Sequence, residues 1–507
     1  MSRISVTSFL TLILLCVPLW AQPSSTPASS VSHPKVTVSP KSNPPTTDVL
    51  VSGSGFSPYA AIDIYFDTTD EALASANASG AFSKISIQVP PSAVPGEHWI
   101  TAVQRSNDHS AQTPFTVNTN WAESGFTPER KRFNPYENVL SPTTVGGIDE
   151  QWSFRTGNVV VSSPVVANGV VYFGSGDHHF YAVNATTGAL LWYFDRPGGF
   201  SSAAVANDVV YFGSDDNNVY ALKATNGTLL WSFPTGNAVV SSPAVANGVV
   251  YVGSIDGNVY ALKARTGKKL WSFPTGSYVV SSPAVANGVV YIGSEDDNVY
   301  ALNATTGTLL WSFPTCCPVF SSPAVANGVV YFGWDNYNLG LYALNATTGA
   351  LLWSFPLTPL NVAGSPAVAD GVVYFGATDF NVYALNATTG ALLWSFPTGG
   401  NVLQSTPAVA NGVVYVGSDD FNVYALNATT GALLWSFPTG NVVESDPSVV
   451  NGVVYVSGSD FNVYAFSLAG GQRVHPPERP ALSTLHPDLS LEVSQPLSTR
   501  PTDAYEH

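Results

Sequence analysis

Two cysteines stand side by side at Cys316-Cys317, and Cys16 is the only other thiol in the chain. Adjacent Cα atoms lie about 3.8 Å apart across a trans peptide or about 2.9 Å across a cis one. Ordinary disulfides span roughly 4.4–6.8 Å, so a bond between these neighbours would be strained and easily reduced. A second candidate lies in "VESDP" (Val443–Pro447), where Glu444 and Asp446 are two apart and would share one face of an extended strand. They could act as cation ligands or as a carboxylate pair, or simply line a solvated edge. Gln404, in "LQSTP", departs from its copies in the same way, as do Trp334 and Tyr337 in "WDNYNLG". His178-His179 is too small a cluster for a metal site, and no nucleophile–base–acid set stands out. Acids gather in short turns: Asp215, Asp216, Asp256, Glu295, Asp296, Asp297, Asp335, Asp379, Asp419, Asp420 and Asp460. Asp is an ordinary hairpin-turn residue. Summed, the charge could still attract a cationic partner or a loosely held Ca²⁺.

These residues sit in a repeat. Trp152, Trp192, Trp231, Trp271, Trp311, Trp353, Trp394 and Trp435 are separated by 40, 39, 40, 40, 42, 41 and 41 residues. A fixed period near 40 marks a solenoid or a propeller. One copy reads as four strands: "VVSSPAVA" (Val239–Ala246), an Asn-Gly turn, "VVYVGS" (Val249–Ser254), "VYALKA" (Val259–Ala264) and "KLWSFPT" (Lys269–Thr275). Four antiparallel strands per repeat make a propeller blade, and no helical periodicity competes. The "SPAVANGVVY"-type start occurs eight times and the "WSF"-type close eight times, but shifted by one. Gln151–Thr156 should therefore complete the blade begun by Val442–Leu468, pairing an otherwise bare edge. The sequence predicts an all-β chain with an eight-bladed propeller over residues 151–468. Residues present in every copy, the eight tryptophans and the third-turn glycines Gly188, Gly267, Gly307, Gly390 and Gly431, are expected to be structural. Function is expected where copies disagree. The irregular stretches "GDHHF", "RPGGF", "TCCPVF", "WDNYNLG" and "LTPLN" all fall in second turns or inter-blade links, on one face of the ring.

"YALNATTGALLW" (Tyr424–Trp435) resembles the tryptophan-docking repeat of pyrroloquinoline quinone (PQQ)-type propellers, with Ala425, Thr430, Gly431 and Trp435 at the matching positions. "NWAESGFTPERKRFNPYENVLSP" resembles the lead-in common before such repeats. The family holds quinoprotein dehydrogenases and quinone-free binding scaffolds. Toward the first, the resemblance implies PQQ, Ca²⁺ and a vicinal-cysteine ring, for which Cys316-Cys317 and the Glu444/Asp446 region are the candidates. The calcium ligands, catalytic aspartate and covering loops of that class cannot be placed on this sequence residue by residue. The resemblance therefore favours a scaffold that requires no cofactor.

The flanks set the context. Residues 1–21 combine Arg3, an apolar run and a small residue at Ala21, the pattern of a secretory signal. Secretion to the periplasm or cell surface is the expectation. No other stretch is long and apolar enough to span a bilayer. Residues 22–33 read as a flexible leader and 118–150 as an irregular connector, with a polar tail from 469 to 507. Residues 34–117 alternate in short runs between turn residues, as in a small β-sandwich, and resemble bacterial Ig-like domains. With 18 Lys and Arg against 34 Asp and Glu, and no clustered positive charge, a nucleic-acid partner is not expected. The reading is a non-catalytic binding scaffold for a protein or cell-envelope component. Its alternatives are a PQQ- and calcium-dependent dehydrogenase and a purely structural surface repeat.

Overall fold

The computed structural model describes residues 33–107, 109–196, 198–333, 340–357 and 364–469. Residues 148–468 form eight antiparallel sheets of at least four strands each, an eight-bladed β-propeller. Blades 1–7 span 165–195, 204–234, 244–274, 284–314, 324–355, 367–397 and 408–438. Blade 8 takes Ser448–Val450, Val453–Ser457 and Asn462–Leu468 from the end of the array. Its outer strand, Ile148–Arg155, comes from before blade 1 and pairs from Ile148↔Leu468 to Arg155↔Asn462. The innermost strands are shorter than their hydrophobic pattern suggests. In blade 3 only Ala244–Ala246 is strand, because Pro243 supplies no N–H to a ladder.

Two rings of hydrogen bonds tie blade to blade. In the outer ring, seven indole Nε1–H groups donate to a third-turn alanine carbonyl of the next blade at 2.8–3.1 Å, from Trp152 to Ala185 through Trp394 to Ala428. The same seven carbonyls accept a tyrosine hydroxyl, as Ala264 does from Tyr211 at 3.2 Å and Ala185 from Tyr455 at 3.1 Å. The eighth junction differs because blade 8 has no third turn. There Trp435 donates to Ile148 of the closing strand (3.1 Å), and the fully buried Tyr415 hydroxyl has no hydrogen-bond partner. Glycine is needed beneath each indole. At Gly267 φ is +68°, and an added Cβ would come within 2.7 Å of the Trp231 ring. The inner set joins six of the eight junctions among the described residues, mostly through hydroxyls: Ser163 N–H donates to Ser202 Oγ (2.8 Å), Ser242 to Ser282 (2.9 Å), Ser282 to Ser322 (3.0 Å) and Ser322 to Ser365 (2.8 Å). Thr406 N–H donates to Asp446 Oδ1 (2.8 Å), and Asp446 N–H returns to Ser163 Oγ (3.0 Å).

The connector does what its irregular sequence did not announce. It crosses the axial channel at the first-turn end and bonds to one equivalent valine in every blade. Trp121 exchanges two backbone bonds with Val166 (2.7 and 2.8 Å), and Val205 N–H donates to Ala122 O (2.7 Å). Val245 N–H donates to Glu123 Oε1 (3.0 Å). Val285, Val325, Val368 and Val409 donate to the carbonyls of Pro128, Glu129, Lys131 and Arg132 at 2.7–2.9 Å. Asn134 Nδ2 completes the circuit by donating to Val449 O (2.9 Å). Arg130 and Arg132 are buried within this plug. Arg130 donates to Pro283 O, Ser242 O and Ser124 Oγ, each at 2.7 Å. Burial pulls its pKa down to about 9 and pushes that of Glu123 up to about 7.

Ahead of the connector, residues 35–117 form a two-sheet sandwich. One sheet is Lys35–Ser39, Asp48–Ser54 and Phe82–Gln88; the other holds Ser42–Asn43, Ser110–Val117, Gly96–Gln104, Ala61–Phe66 and Thr69–Ser75. Ile62, Ile64, Phe66, Val49 and Phe115 fill the space between them.

Blade 3 carries its own control for the tryptophan ring. Gly267→Ala and Gly248→Ala both place a side chain at positive φ, but nothing lies within 4 Å of the latter's Cβ position. Gly248→Ala should cost about 1 kcal/mol. Gly267→Ala should cost about 2 kcal/mol more from overpacking against the indole. Denaturant titrations of the two variants check this; equal losses would mean the indole contact is not tightly packed.

Candidate binding face

Strand alternation puts the first and third turns on one face of the ring and the second turns and inter-blade links on the other. The connector enters from the former, where Thr119 N–H donates to Asn451 Oδ1 (2.9 Å) and Asn168 N–H to Asn120 Oδ1 (3.0 Å), both at first turns. The mouth left open on the second-turn face holds a cavity of about 230 Å³ lined by Val161, Ser162, Phe200, Ser202, Asp215 and Val240.

Most acids on this face are staples. In seven blades a second-turn aspartate accepts the hydroxyl of the tyrosine four residues on, at 2.6–2.8 Å: Asp177, Asp216, Asp256, Asp296, Asp379, Asp420 and Asp460. Several also hold the link that leads into their blade, as Gly236 N–H donates to Asp256 Oδ2 (2.7 Å) and Gly440 N–H to Asp460 Oδ2 (2.8 Å). For Asp177, Asp256 and Asp420, burial raises the pKa but the donors outweigh it, holding each carboxyl below the usual carboxylate range. Asp419 and Glu295 lack such donors, and burial raises both.

The candidate residues from the sequence divide by place. Cys316 is exposed and Cys317 half-buried in the link between blades 4 and 5; they form no disulfide, their Sγ atoms lying 3.8 Å apart. Trp334, Tyr337 and Asp335 lie outside the described residues. Gln404 is exposed at the channel rim. Glu444 and Asp446 do not share a strand face, because the strand begins only at Ser448. Glu444 is half-buried and accepts from Ser459 Oγ (3.4 Å). Asp446 turns to the axis, where Oδ2 lies 3.7 Å from Arg132 Nε. The eight tryptophans form the docking ring described above. Sequence reasoning missed Glu123, Arg130 and Arg132. Contrary to the reading that positive charge is nowhere clustered, Arg130-Lys131-Arg132 are three consecutive cations, and that was the available signal. It also missed Phe380, Phe421 and Phe461, which take the place of Asn217, Gly257 and Asp297 in second turns of other blades.

The sequence matches the PQQ-repeat family model described as outer membrane protein assembly factor BamB over residues 149–203, 197–282, 256–402 and 378–500. The chain belongs to this family. One relative, the Bacillus subtilis (strain 168) protein YxaL, is 41% identical over 56 residues, which is 11% of this chain and 14% of YxaL. The chain thus spans far less than half of that relative's length. The fold is shared with the quinohemoprotein alcohol dehydrogenase ADHIIG of Pseudomonas putida HK5 (TM-score 0.61, 19% identity, 71% of this chain and 82% of that one). It is shared also with BamB of Moraxella catarrhalis (TM-score 0.55, 19% identity, 65% and 99%) and with the computationally designed protein Ika8 (0.57, 20%, 63% and 99%).

The staples predict an acid limit. Carboxyls whose pKa is depressed in the fold stabilise it above their unfolded pKa, and that stability is lost as pH falls through the folded value. Asp256 should lose part of its depression in Tyr260→Phe, moving the acid-unfolding midpoint to higher pH. Tryptophan fluorescence against pH checks it; an unmoved midpoint would mean the hydroxyl bond adds nothing.

Proposed function

We propose that this PQQ-repeat propeller is a non-catalytic, extracytoplasmic binding scaffold whose second-turn face engages a protein or cell-envelope component. The observation that carries the reading is an asymmetry between the turns of the two faces. Val161, Val240, Tyr278, Phe320, Phe380 and Phe421 are large apolar side chains exposed at the mouth, links and turns of the second-turn face. Among the described residues no first or third turn itself exposes one, although the outer strands expose leucines around the rim just after the third turns, as at Leu190, Leu191, Leu309 and Leu310. Exposed apolar groups clustered on one side of a rigid scaffold mark a contact surface. Residues 1–21 would direct export, and the sandwich, in the Ig-like role its sequence suggests, would serve as spacer or second contact.

The residues fit a quinone and Ca²⁺ poorly. Asp446, the best-placed carboxylate, is committed to Thr406 N–H and to Arg132. Glu444 stands apart from it, and among the described residues no three His, Cys, Asp or Glu side chains converge on one point. The inner-strand valines are occupied by the connector.

Two measurements test this reading. Mature protein given PQQ and Ca²⁺ should show no stoichiometric quinone absorbance and no dye-linked alcohol oxidation. A photo-crosslinking residue at position 320, on the second-turn face, should capture a discrete envelope partner in the native host, and one at position 305, in a third turn, should not. Turnover with quinone, or equal capture from both faces, would overturn it.

A further inference from the structure

Phe380, Phe421 and Phe461 occupy the same second-turn position in blades 6, 7 and 8, at φ of 67°, 73° and 75°. Blades 1–4 place His178, Asn217, Gly257 and Asp297 there, at φ between 66° and 82°. Asn, Asp and Gly enter this left-handed region with little penalty, whereas a bulky side chain does not. Turn chemistry therefore does not ask for phenylalanine. Neither does the core, because Phe380 is 49% and Phe421 46% exposed.

Blade 8 shows what such a ring can do. The Arg155 guanidinium sits over Phe461, 5.7 Å from the ring centroid. Arg155 reaches that place because it pairs with Asn462, the residue after Phe461. In blades 6 and 7 the corresponding pairs are Asn381↔Pro397 and Asn422↔Pro438, so proline stands where blade 8 has its arginine. Phe380 and Phe421 thus have the same backbone setting as Phe461 without the guanidinium. Negative charge accompanies them. Asp419 lies two residues before Phe421, close enough to Glu444 for the two carboxylates to repel, and the whole chain carries −16. Neither acid is tied into a tyrosine staple.

We infer that Phe380 and Phe421, with Asp419 and Glu444, form a docking strip for an extended, arginine- or lysine-bearing segment of a partner protein, each cation lying over a ring as Arg155 lies over Phe461. The inference rests on the reading that the second-turn face binds, and it names the chemistry of what binds. A cation over an aromatic face is attracted by the ring quadrupole, and arginine also stacks. Neighbouring carboxylates add attraction that salt screens over about 10 Å at 0.1 M.

The test uses the mature chain and a fluorescein-labelled peptide of alternating arginine and glycine, read by anisotropy at low salt. The peptide should bind, and its citrulline counterpart should not. Phe380→Asn with Phe421→Asn should weaken binding by about tenfold. The thermal midpoint should hold or rise, because asparagine suits the turn as Asn217 does. Pro438→Arg, which copies the blade 8 arrangement, should also weaken the peptide by covering Phe421 from within. Equal affinity for the double variant, or equal binding of the citrulline peptide, would overturn the inference. So would a gain in affinity when the chain is ended at residue 469, since that would make its own tail the occupant. Absence of peptide binding while position 320 still captures its partner would sink this inference and leave the binding face standing. Loss of that capture would sink the face itself.

Discussion

Eight sheets arranged around an axis leave eight inner edges, each with a backbone N–H that faces the channel. Buried backbone donors must be paired, and an edge strand is unstable until something covers it. Here one equivalent valine per blade meets the connector: a single passage of chain accepts from seven of those N–H groups and, in blade 8, donates to the Val449 carbonyl instead. In blade 3 the backbone swings out of reach, and the Glu123 side chain supplies the acceptor instead. The same passage brings Arg130 and Arg132 inside, where carbonyls, Ser124 and Asp446 receive them. Glu123, buried, and Asp446, half-buried, are the acids that face those arginines. The channel is thus closed by main-chain chemistry, and its lining is committed before any ligand arrives.

Around this hub the rings of indoles and hydroxyls make each blade depend on its neighbours. Both rings cross the seam between the last blade and the first: Trp435 reaches Ile148, Trp152 reaches Ala185, and Asp446 reaches Ser163. The seam is also where the repeat fails, leaving the Tyr415 hydroxyl unpaired beneath a turn that blade 8 lacks. Staple aspartates then fix the second turns to the inter-blade links. With the frame secured in this way, the second-turn face can vary without unfolding the ring, which is where the irregular loops and exposed aromatics are found.

Periodicity made the frame legible. Recurrent tryptophans, Asn-Gly turns and the offset between starts and closes define the blades and the borrowed strand of blade 8, because each signal is local and repeated. The plug was not legible for the opposite reasons. Residues 118–147 occur once, carry no alternation, and find partners 45 to 332 positions away, as Trp121 does with Val166 and Thr119 with Asn451. Asp446 illustrates the cost of reading pairs by spacing alone. Two-residue periodicity would set it beside Glu444, but Pro447 and the missing strand before Ser448 let the two diverge, one to the axis and one to the turn face. The aspartates were readable as turn residues, but their tyrosine partners needed the blade to be folded. The three phenylalanines stand where the copies disagree and could have been found by aligning the second turns; only the positive φ of that position needed the backbone.

On this structure connector, rings and seam form one cooperative unit. Native-state hydrogen exchange, followed by mass spectrometry on peptides covering Val245, Val285, Val325, Val368 and Val409, tests it most directly. If the claim holds, these inner amides exchange only by global unfolding, with the same free energy and denaturant dependence as amides in the strands of blades 3 to 7. Inner amides that open earlier, or in a graded order from blade to blade, would show that the connector is an accessory to a ring that stands without it.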